Sequence, residues 1–418
     1  PQKDGGYDIT DHSEVAADVG GNAAFERFMG EAVDRGVRVT ADLVANHVSF
    51  EHQWAKALEA GDESVLSRFV AWDDAVKIGE RVVDGKTFNV FLHTRGENAG
   101  KTSHVWQIFP ENNPDTFIRA AGHKIFASFM NPYQWDVNVA DPQVLAYYLH
   151  TIAKFANLGQ MGTRMDAIIH SGKKPGTFNI NNPEAQAFMA LAKSFASQLV
   201  PGNMFLPEAN LPWDEAKRDW LSPERAFDGK VENTAGDVLI SFDVHRAIWD
   251  TLLKNDKHAW MNAQAELGEL PANKSLLVYL GLHDETLIDD PKLRAELQRR
   301  GFHDFAGRGV GDSPAALLDG DADRLAMAHV LLYSSKGHPA VYYRTLIGAQ
   351  NNEEYYETKI SDRLDDQRKA GLTPDVKKAR DTRDLDRGPV ALADYEAALA
   401  SGYKPAVTVR ALNALWDA

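Results

Sequence analysis

Apolar residues recur at helical spacing over residues 24–34, where Phe25, Phe28, Met29, Ala32 and Val33 share one stripe and Gly36 stands where a helix commonly stops. Val37, Val39 and Leu43 then predict a short strand over 37–43, with Asp42 near its end. The pattern returns at Asp141-Pro142, an N-cap with proline at the first helical position, followed by Leu145, Tyr148, Leu149 and Ile152 as an inward face. A strand at 161–168 comes directly after it. Asn182-Pro183 opens a further helix over 184–199, and Met204-Phe205-Leu206 predicts a strand ending at Glu208. Residues 238–243, 276–282 and 338–343 read as three more buried strands, with helices near 244–254, within 290–300 and at 322–334. Six strands alternating with helices point to a parallel sheet with helices outside it.

Periodicity alone fits either a doubly wound open sheet or a closed eight-stranded barrel. Asp42, Asp166, Glu208 and Asp284 fall at the carboxyl ends of different predicted strands, where barrel enzymes assemble active sites from several loops. An open sheet more often concentrates its chemistry at one switch point with a phosphate-binding glycine loop, and no GxGxxG or GxxxxGK[ST] occurs in that context. The expectation is an α/β chain of TIM-barrel type. Residues 48–135, rich in aromatics, Asn, Gly and His, are too long for a simple connection and predict an inserted subdomain over the strand ends. Residues 351–390 carry dense charge, from Glu353-Glu354 through Asp362-Arg363-Leu364-Asp365-Asp366 to Arg387, and read mostly as a solvated helix and loop.

Composition narrows the partners. The 45 Lys and Arg against 60 Asp and Glu give a formal charge of −15 over 418 residues, with no basic run to meet a phosphate backbone or anionic lipid. Nucleic acid and membrane are therefore not expected partners. Cysteine is absent, which excludes disulfide scaffolds, thiolate zinc sites and cysteine nucleophiles. No apolar stretch approaches the length of a membrane span and no signal peptide is visible, so the cytoplasm is the expected compartment.

Retaining cleavage of an α-glucoside needs two carboxyl groups about 5–5.5 Å apart, one ionised to attack the anomeric carbon and one protonated to release the leaving group. Asp166 suits the ionised role, because Arg164, two residues earlier on the same strand, projects to the same face and favours the carboxylate. Glu208 ends the next strand, and repulsion between neighbouring carboxyls is one means of keeping it protonated. Leu282-His283-Asp284-Glu285 sets an imidazole beside a third carboxylate, suited to an oxocarbenium-like transition state. Singly, each has an ordinary reading as an ion pair, a loop or a cap. Their joint order gives them weight.

Asp42-Leu-Val-Ala-Asn-His47, Gly162-Thr-Arg-Met-Asp166, Glu208 behind its apolar strand, and His283-Asp284 resemble, in order, the four signature regions of the α-amylase superfamily, glycoside hydrolase family 13. Asp4-Gly-Gly-Tyr-Asp8 and Gly337-His-Pro-Ala-Val-Tyr-Tyr343, which is similar to the family's last barrel strand, extend the resemblance over nearly the whole chain. It implies a (β/α)8 barrel formed by residues 1–47 and 136–418, with a subdomain, 48–135, inserted after the third strand. It assigns Asp166 as nucleophile, Glu208 as general acid/base and Asp284 as third carboxylate. Arg164, His47 and His283 are implied around the sugar next to the scissile bond, with Tyr7 stacked on it. The competing reading of Tyr7 is a partly buried core aromatic, and that of His47 and His283 a core histidine satisfied by backbone groups. No organic cofactor is implied. Asn46 matches a residue that binds calcium in many amylases, whereas sucrose-acting relatives generally lack the ion. Asp319-Gly-Asp-Ala-Asp323 has alternating carboxylates but lacks the later glutamate of a calcium loop, and is read as the cap of the helix at 322.

Within the superfamily, Asn131-Pro-Tyr-Gln-Trp-Asp-Val-Asn138, Asp141-Pro142, Gly176-Thr177 and Asn182-Pro-Glu184 look most like amylosucrase and other sucrose-acting enzymes. In that group Asp4 pairs with a late arginine, here Arg383 or Arg387. Leu-His-Asp-Glu-Thr-Leu around His283 is closer to trehalose synthases and α-glucosidases. Two departures stand out. The first two strands of the family barrel are not visible ahead of Asp4, so the expectation is an incomplete chain or an altered barrel. Tyr343-Arg-Thr-Leu-Ile-Gly348 stands where the family usually has Gly-Asp-Glu ahead of Ile-Gly.

The expected function is a retaining α-glucoside hydrolase or transglucosylase acting on a small sugar such as sucrose through a covalent glucosyl-Asp166 intermediate. The alternatives are a sucrose phosphorylase or trehalose-synthase-type isomerase, and a catalytically silent carbohydrate-binding relative.

Overall fold

The computed structural model describes residues 3–416 apart from 84, 109–115, 130–131, 222–224, 228–229, 233–235 and 370–372, so Asn131 of the motif above lies outside the described residues. The chain forms two compact units, Pro1–Leu239 and Ile240–Ala418.

The chemistry of the first unit hangs on a parallel sheet in the order Thr40–Val44, Gly162–Asp166, Met204–Pro207. All five residues of the middle strand are buried. Its register sets Asp42 level with Arg164 and Val44 level with Asp166 on one side, and Leu206 level with Arg164 on the other. Successive side chains alternate faces, so Asp42, Arg164 and Asp166 share one face, and Glu208, two residues beyond Leu206, joins them. Gly162 makes this register possible. A Cβ there would lie 2.4 Å from Thr40 Oγ1 on the neighbouring strand.

Helices Gly21–Asp34, Pro142–Asn157 and Pro183–Leu199 lie where the pattern predicts them. Asp141 caps the second through the N–H groups of Gln143 and Val144. Two inward faces differ from expectation. In Pro142–Asn157 the buried line runs Val144, Tyr148, Thr151, Ile152, with Leu145 and Leu149 only half-buried, a small rotation of the stripe. In Gly21–Asp34 only Met29 and Ala32 are buried, while Phe28 and Val33 are 55% and 54% exposed. The apolar stripe of that helix is wider than the surface covering it. Val37 is likewise exposed, because the strand begins only at Thr40.

Between the first two parallel strands the chain turns antiparallel. His47–Ser49 pairs with Gln134–Asp136, Ala75–Val83, Lys86–His93 and Thr102–Trp106 form a three-stranded sheet, and Phe117–Ala120 pairs with His123–Phe126. Val70, Trp72, Ala75, Phe91, Val105 and Phe126 make a hydrophobic cluster within this stretch.

In the second unit Ser275–Tyr279 and His338–Ala340 run parallel. Helices Phe242–Lys254, Pro291–Arg299 and Ala322–Tyr333 begin at Ser241, Asp290 and Asp321, each of which accepts backbone N–H groups as an N-cap. The Asp321 cap matches the reading of Asp319–Asp323, and Asp319 itself pairs with Arg300 at 2.9 Å. The strands are shorter than predicted at both ends of this stretch. Ser241 ends Val238–Ile240 by starting a helix, and Tyr343–Leu346 turns helical soon after Ala340. Residues 353–369 form the predicted charged helix. It is not wholly solvated: Arg363 is buried against Asp384 at 2.6 Å and donates to the Ala379 carbonyl. A guanidinium with both a carboxylate and a carbonyl to meet is tolerated in a core that would reject it alone.

Candidate active site

The candidate residues form two clusters, one in each unit. In the first, Arg164 is the hub. Its Nη1 lies 2.9 Å from both Asp42 Oδ2 and Asp166 Oδ1, and its Nη2 lies 2.8 Å from Glu208 Oε1. A planar guanidinium serves three carboxylates without losing its shape, which a lysine cannot do. Burial works against its charge, yet Glu208, Tyr7, Asp42 and Asp166 together hold it ionised well above its ordinary range. The sequence aimed Arg164 at Asp166 alone; the strand register shares it with Glu208 and Asp42.

Beyond Asp166 the chain makes a sharp turn. Ala167 adopts φ 50°, a left-handed conformation that costs a non-glycine residue free energy. The turn points the Ala167 N–H at Glu208 Oε2, 2.8 Å away. The strand ends thus fix Glu208 through one oxygen to Arg164 and the other to the backbone beside Asp166. Tyr7 completes the cluster, its hydroxyl donating to Asp42 at 2.5 Å while the Arg164 guanidinium lies 5.8 Å from its ring centre. Asp42, passed over as a site residue although it ends a strand and opens the first signature motif, is the anchor for both.

His47 is buried, with Nε2 3.2 Å from the Tyr7 carbonyl and Nδ1 3.3 Å from the Asn46 amide. Burial lowers its pKa, against the pull of Asp136 and Asp4. Asp4 is buried and accepts from Gln134 at 3.1 Å.

Asn46 bears on the calcium match. Its Oδ1 lies 3.0 Å from Lys173 Nζ, which also meets Asp136 Oδ2 and the His170 carbonyl, each at 2.6 Å. The side chain of Lys173 is 2% exposed. Three oxygens that suit a hard cation therefore already surround the chain's own ammonium, and Asn46 does not fit a calcium ligand here. No group of three His, Cys, Asp or Glu among the described residues is arranged to hold a metal.

The second cluster gathers His283, Asp284, Arg383 and Arg387. Asp284 Oδ1 lies 3.0 Å from Arg383 Nη1 and 3.4 Å from Arg387 Nη2, and its Oδ2 lies 3.2 Å from His283 Nε2. Arg387 Nε donates to the His283 carbonyl at 2.6 Å. The organiser is Asp381, which the sequence did not single out. It takes Arg383 through both oxygens at 2.9 and 2.7 Å and lies 3.5 Å from Arg387. Burial pushes Asp381 up, but Arg383 and Arg387 hold it below the usual carboxylate range.

Chemically, the first cluster offers two carboxyls at adjacent strand ends bridged by a fixed cation, and the second a carboxylate oriented by two guanidiniums and an imidazole. Residues 1–289 match the family described as alpha amylase, catalytic domain. The chain is 25% identical over 368 residues to a trehalose synthase of Pimelobacter sp. (strain R48), covering 84% of this chain and 58% of that protein. It is 20% identical over 407 residues to a glucosylglycerate phosphorylase of Spirochaeta thermophila, covering 91% of this chain and 63% of that one. It thus spans about three fifths of the length of these two relatives. Among solved structures, the sucrose 6F-phosphate phosphorylase of Thermoanaerobacter thermosaccharolyticum matches 97% of this chain and 76% of its own, with TM-score 0.67 and 17% identity. From the family match over residues 1–289, the chain belongs to the α-amylase family, glycoside hydrolase family 13, whose catalytic domain is a (β/α)8 barrel.

Proposed function

We propose that the protein is a retaining α-glucoside enzyme in which Asp166 is the nucleophile, Glu208 the general acid/base and Asp284 the third carboxylate. The observation that carries this reading is the single guanidinium of Arg164 held between Asp166 and Glu208 at adjacent strand ends. Asp166 bonds to the anomeric carbon as the glycosidic C–O bond breaks, and the proton of Glu208 goes to the leaving oxygen. Water or an acceptor hydroxyl then attacks the same carbon, gives its proton to Glu208 and releases Asp166. Arg164 orients both carboxyls and offsets their charge. Asp284, fixed by Arg383 and Arg387, stabilises the oxocarbenium-like transition state. The family resemblance assigns Tyr7, His47 and His283 to binding of the same sugar. A small α-glucoside such as sucrose is the substrate, and no calcium at Asn46 is needed.

Asp166→Asn and Glu208→Gln are each expected to abolish turnover of sucrose and maltose while leaving the fold intact by circular dichroism. Full activity in either variant would sink the assignment. Glu208→Gln should retain more activity on α-glucosyl fluoride, whose leaving group needs no proton, than on sucrose.

A second reading is transfer to phosphate or isomerisation through the same intermediate. It is favoured by the names of the relatives, two of them phosphorylases and one a trehalose synthase. Product analysis with sucrose and maltose, with and without phosphate, separates the two. Tight sugar binding with no turnover would instead favour a silent binding protein.

A further inference from the structure

We infer that Arg344 is a positioning residue that sets Asp284 through Arg387; the inference rests on the role proposed for Asp284. Arg344 opens the Arg-Thr-Leu stretch that departs from the family's usual Gly-Asp-Glu, and it is 2% exposed. Its Nε donates to Asp386 Oδ1 at 2.8 Å, its Nη1 to the Gly388 carbonyl at 2.5 Å and its Nη2 to the Gln350 carbonyl at 2.8 Å. Tyr342 adds a bond from its hydroxyl to the Asp386 carbonyl at 2.9 Å.

Both neighbours of Arg387 are therefore tied to one guanidinium. Arg387 in turn reaches the His283 carbonyl and Asp284 Oδ1. The segment packs closely at Gly388, where a Cβ would lie 2.4 Å from Asn352 Nδ2. Three acceptors in three directions suit a rigid planar fork; a lysine keeps the charge and loses the geometry. The contacts form a chain: Arg344 fixes the backbone at 386–388, the backbone aims Arg387, and Arg387 holds the carboxylate. Burial pushes Asp386 up to about 7 against the pull of Arg344, so a variant without Arg344 leaves a carboxyl that takes up a proton rather than a stranded charge.

The test is a double-mutant cycle in the whole chain with α-glucosyl fluoride as probe, comparing the parent, Arg344→Lys, Arg387→Lys and the double variant. Arg344→Lys is expected to lower kcat/KM on the order of 10²-fold, mainly through kcat. In the Arg387→Lys background the same change is expected to cost about twofold or less, because its route to Asp284 is already broken. Losses that multiply, or an Arg344→Lys protein within about twofold of the parent, overturn the inference. Should Arg344→Lys fail to fold, Arg344→Met with Asp386→Asn, which leaves no buried charge, takes its place with the same outcomes. A parent with no turnover brings down the proposed function and this inference together. An active parent with multiplicative losses brings down this inference alone.

Discussion

Asp8 shows how burial writes pH dependence into a single residue. Its Oδ1 accepts the N–H groups of Lys3 and Asp4, while Oδ2 is buried with no hydrogen-bond partner among the described residues. Burial raises its pKa from 3.8 to about 6, aided by the charge of Asp4 and opposed by the bond from Asp4. The folded chain thus keeps a proton that the unfolded chain has lost between pH 4 and 6, so stability falls as pH rises through that window. Asp8→Asn keeps the acceptor and removes the charge. Its unfolding free energy is expected to track the parent's near pH 4 and to exceed it above pH 6 by an amount on the order of 3 kcal/mol. An unchanged gap across that range would contradict the account. Lys173 is the opposite case, a buried ammonium whose pKa burial lowers against the pull of Asp136, and which has three oxygens around it. Chelator is expected to leave the melting temperature of the parent unchanged. Lys173→Ala, which strands Asp136, is expected to lose about 3–5 kcal/mol, with millimolar calcium restoring part of it. A parent destabilised by chelator would show that a metal, not this ammonium, meets those oxygens. The strand-end placement of Asp166 and Glu208 was legible because a two-residue period and a strand end are local signals. The hub contact of Arg164 with Asp42 spans 122 positions and Lys173 with Asn46 spans 127, distances no local pattern reports.

At the scale of elements, the parallel register of Thr40–Val44, Gly162–Asp166 and Met204–Pro207 does the arranging. Gly162→Ala would push Thr40 and Gly162 apart at the first rung, and the overpacking is expected to cost about 1–3 kcal/mol in urea unfolding, with a fall in turnover as Asp42 and Arg164 lose their level pairing. A variant as stable and active as the parent would show that the rung is loose. Helices Gly21–Asp34, Pro142–Asn157 and Pro183–Leu199 and the parallel strands could be read from the chain because caps and apolar periods mark them directly, whereas Lys257–Glu266 and Lys404–Trp416 were not read. The antiparallel strands of 47–136 could not, since their faces alternate less cleanly: in Ala75–Val83 only Ala75 is buried. Helix Gly21–Asp34 misled for another reason: periodicity says which residues could face a core, not how much surface covers them.

For the whole molecule, the net charge of −15 disfavours polyanions and is indifferent to a neutral sugar, and no helix among the described residues is long and apolar enough to cross a membrane. The covalent glucosyl-Asp166 intermediate proposed above rests on family membership and the Arg164 hub together. The direct measurement is mass spectrometry of peptides after brief reaction with a 5-fluoro α-glucosyl fluoride, whose glycosyl-enzyme turns over slowly. One added fluoroglucosyl group is expected on the peptide carrying Asp166 and none in Asp166→Asn. An adduct on a different carboxylate, or rapid turnover through Asp166→Asn, would contradict it.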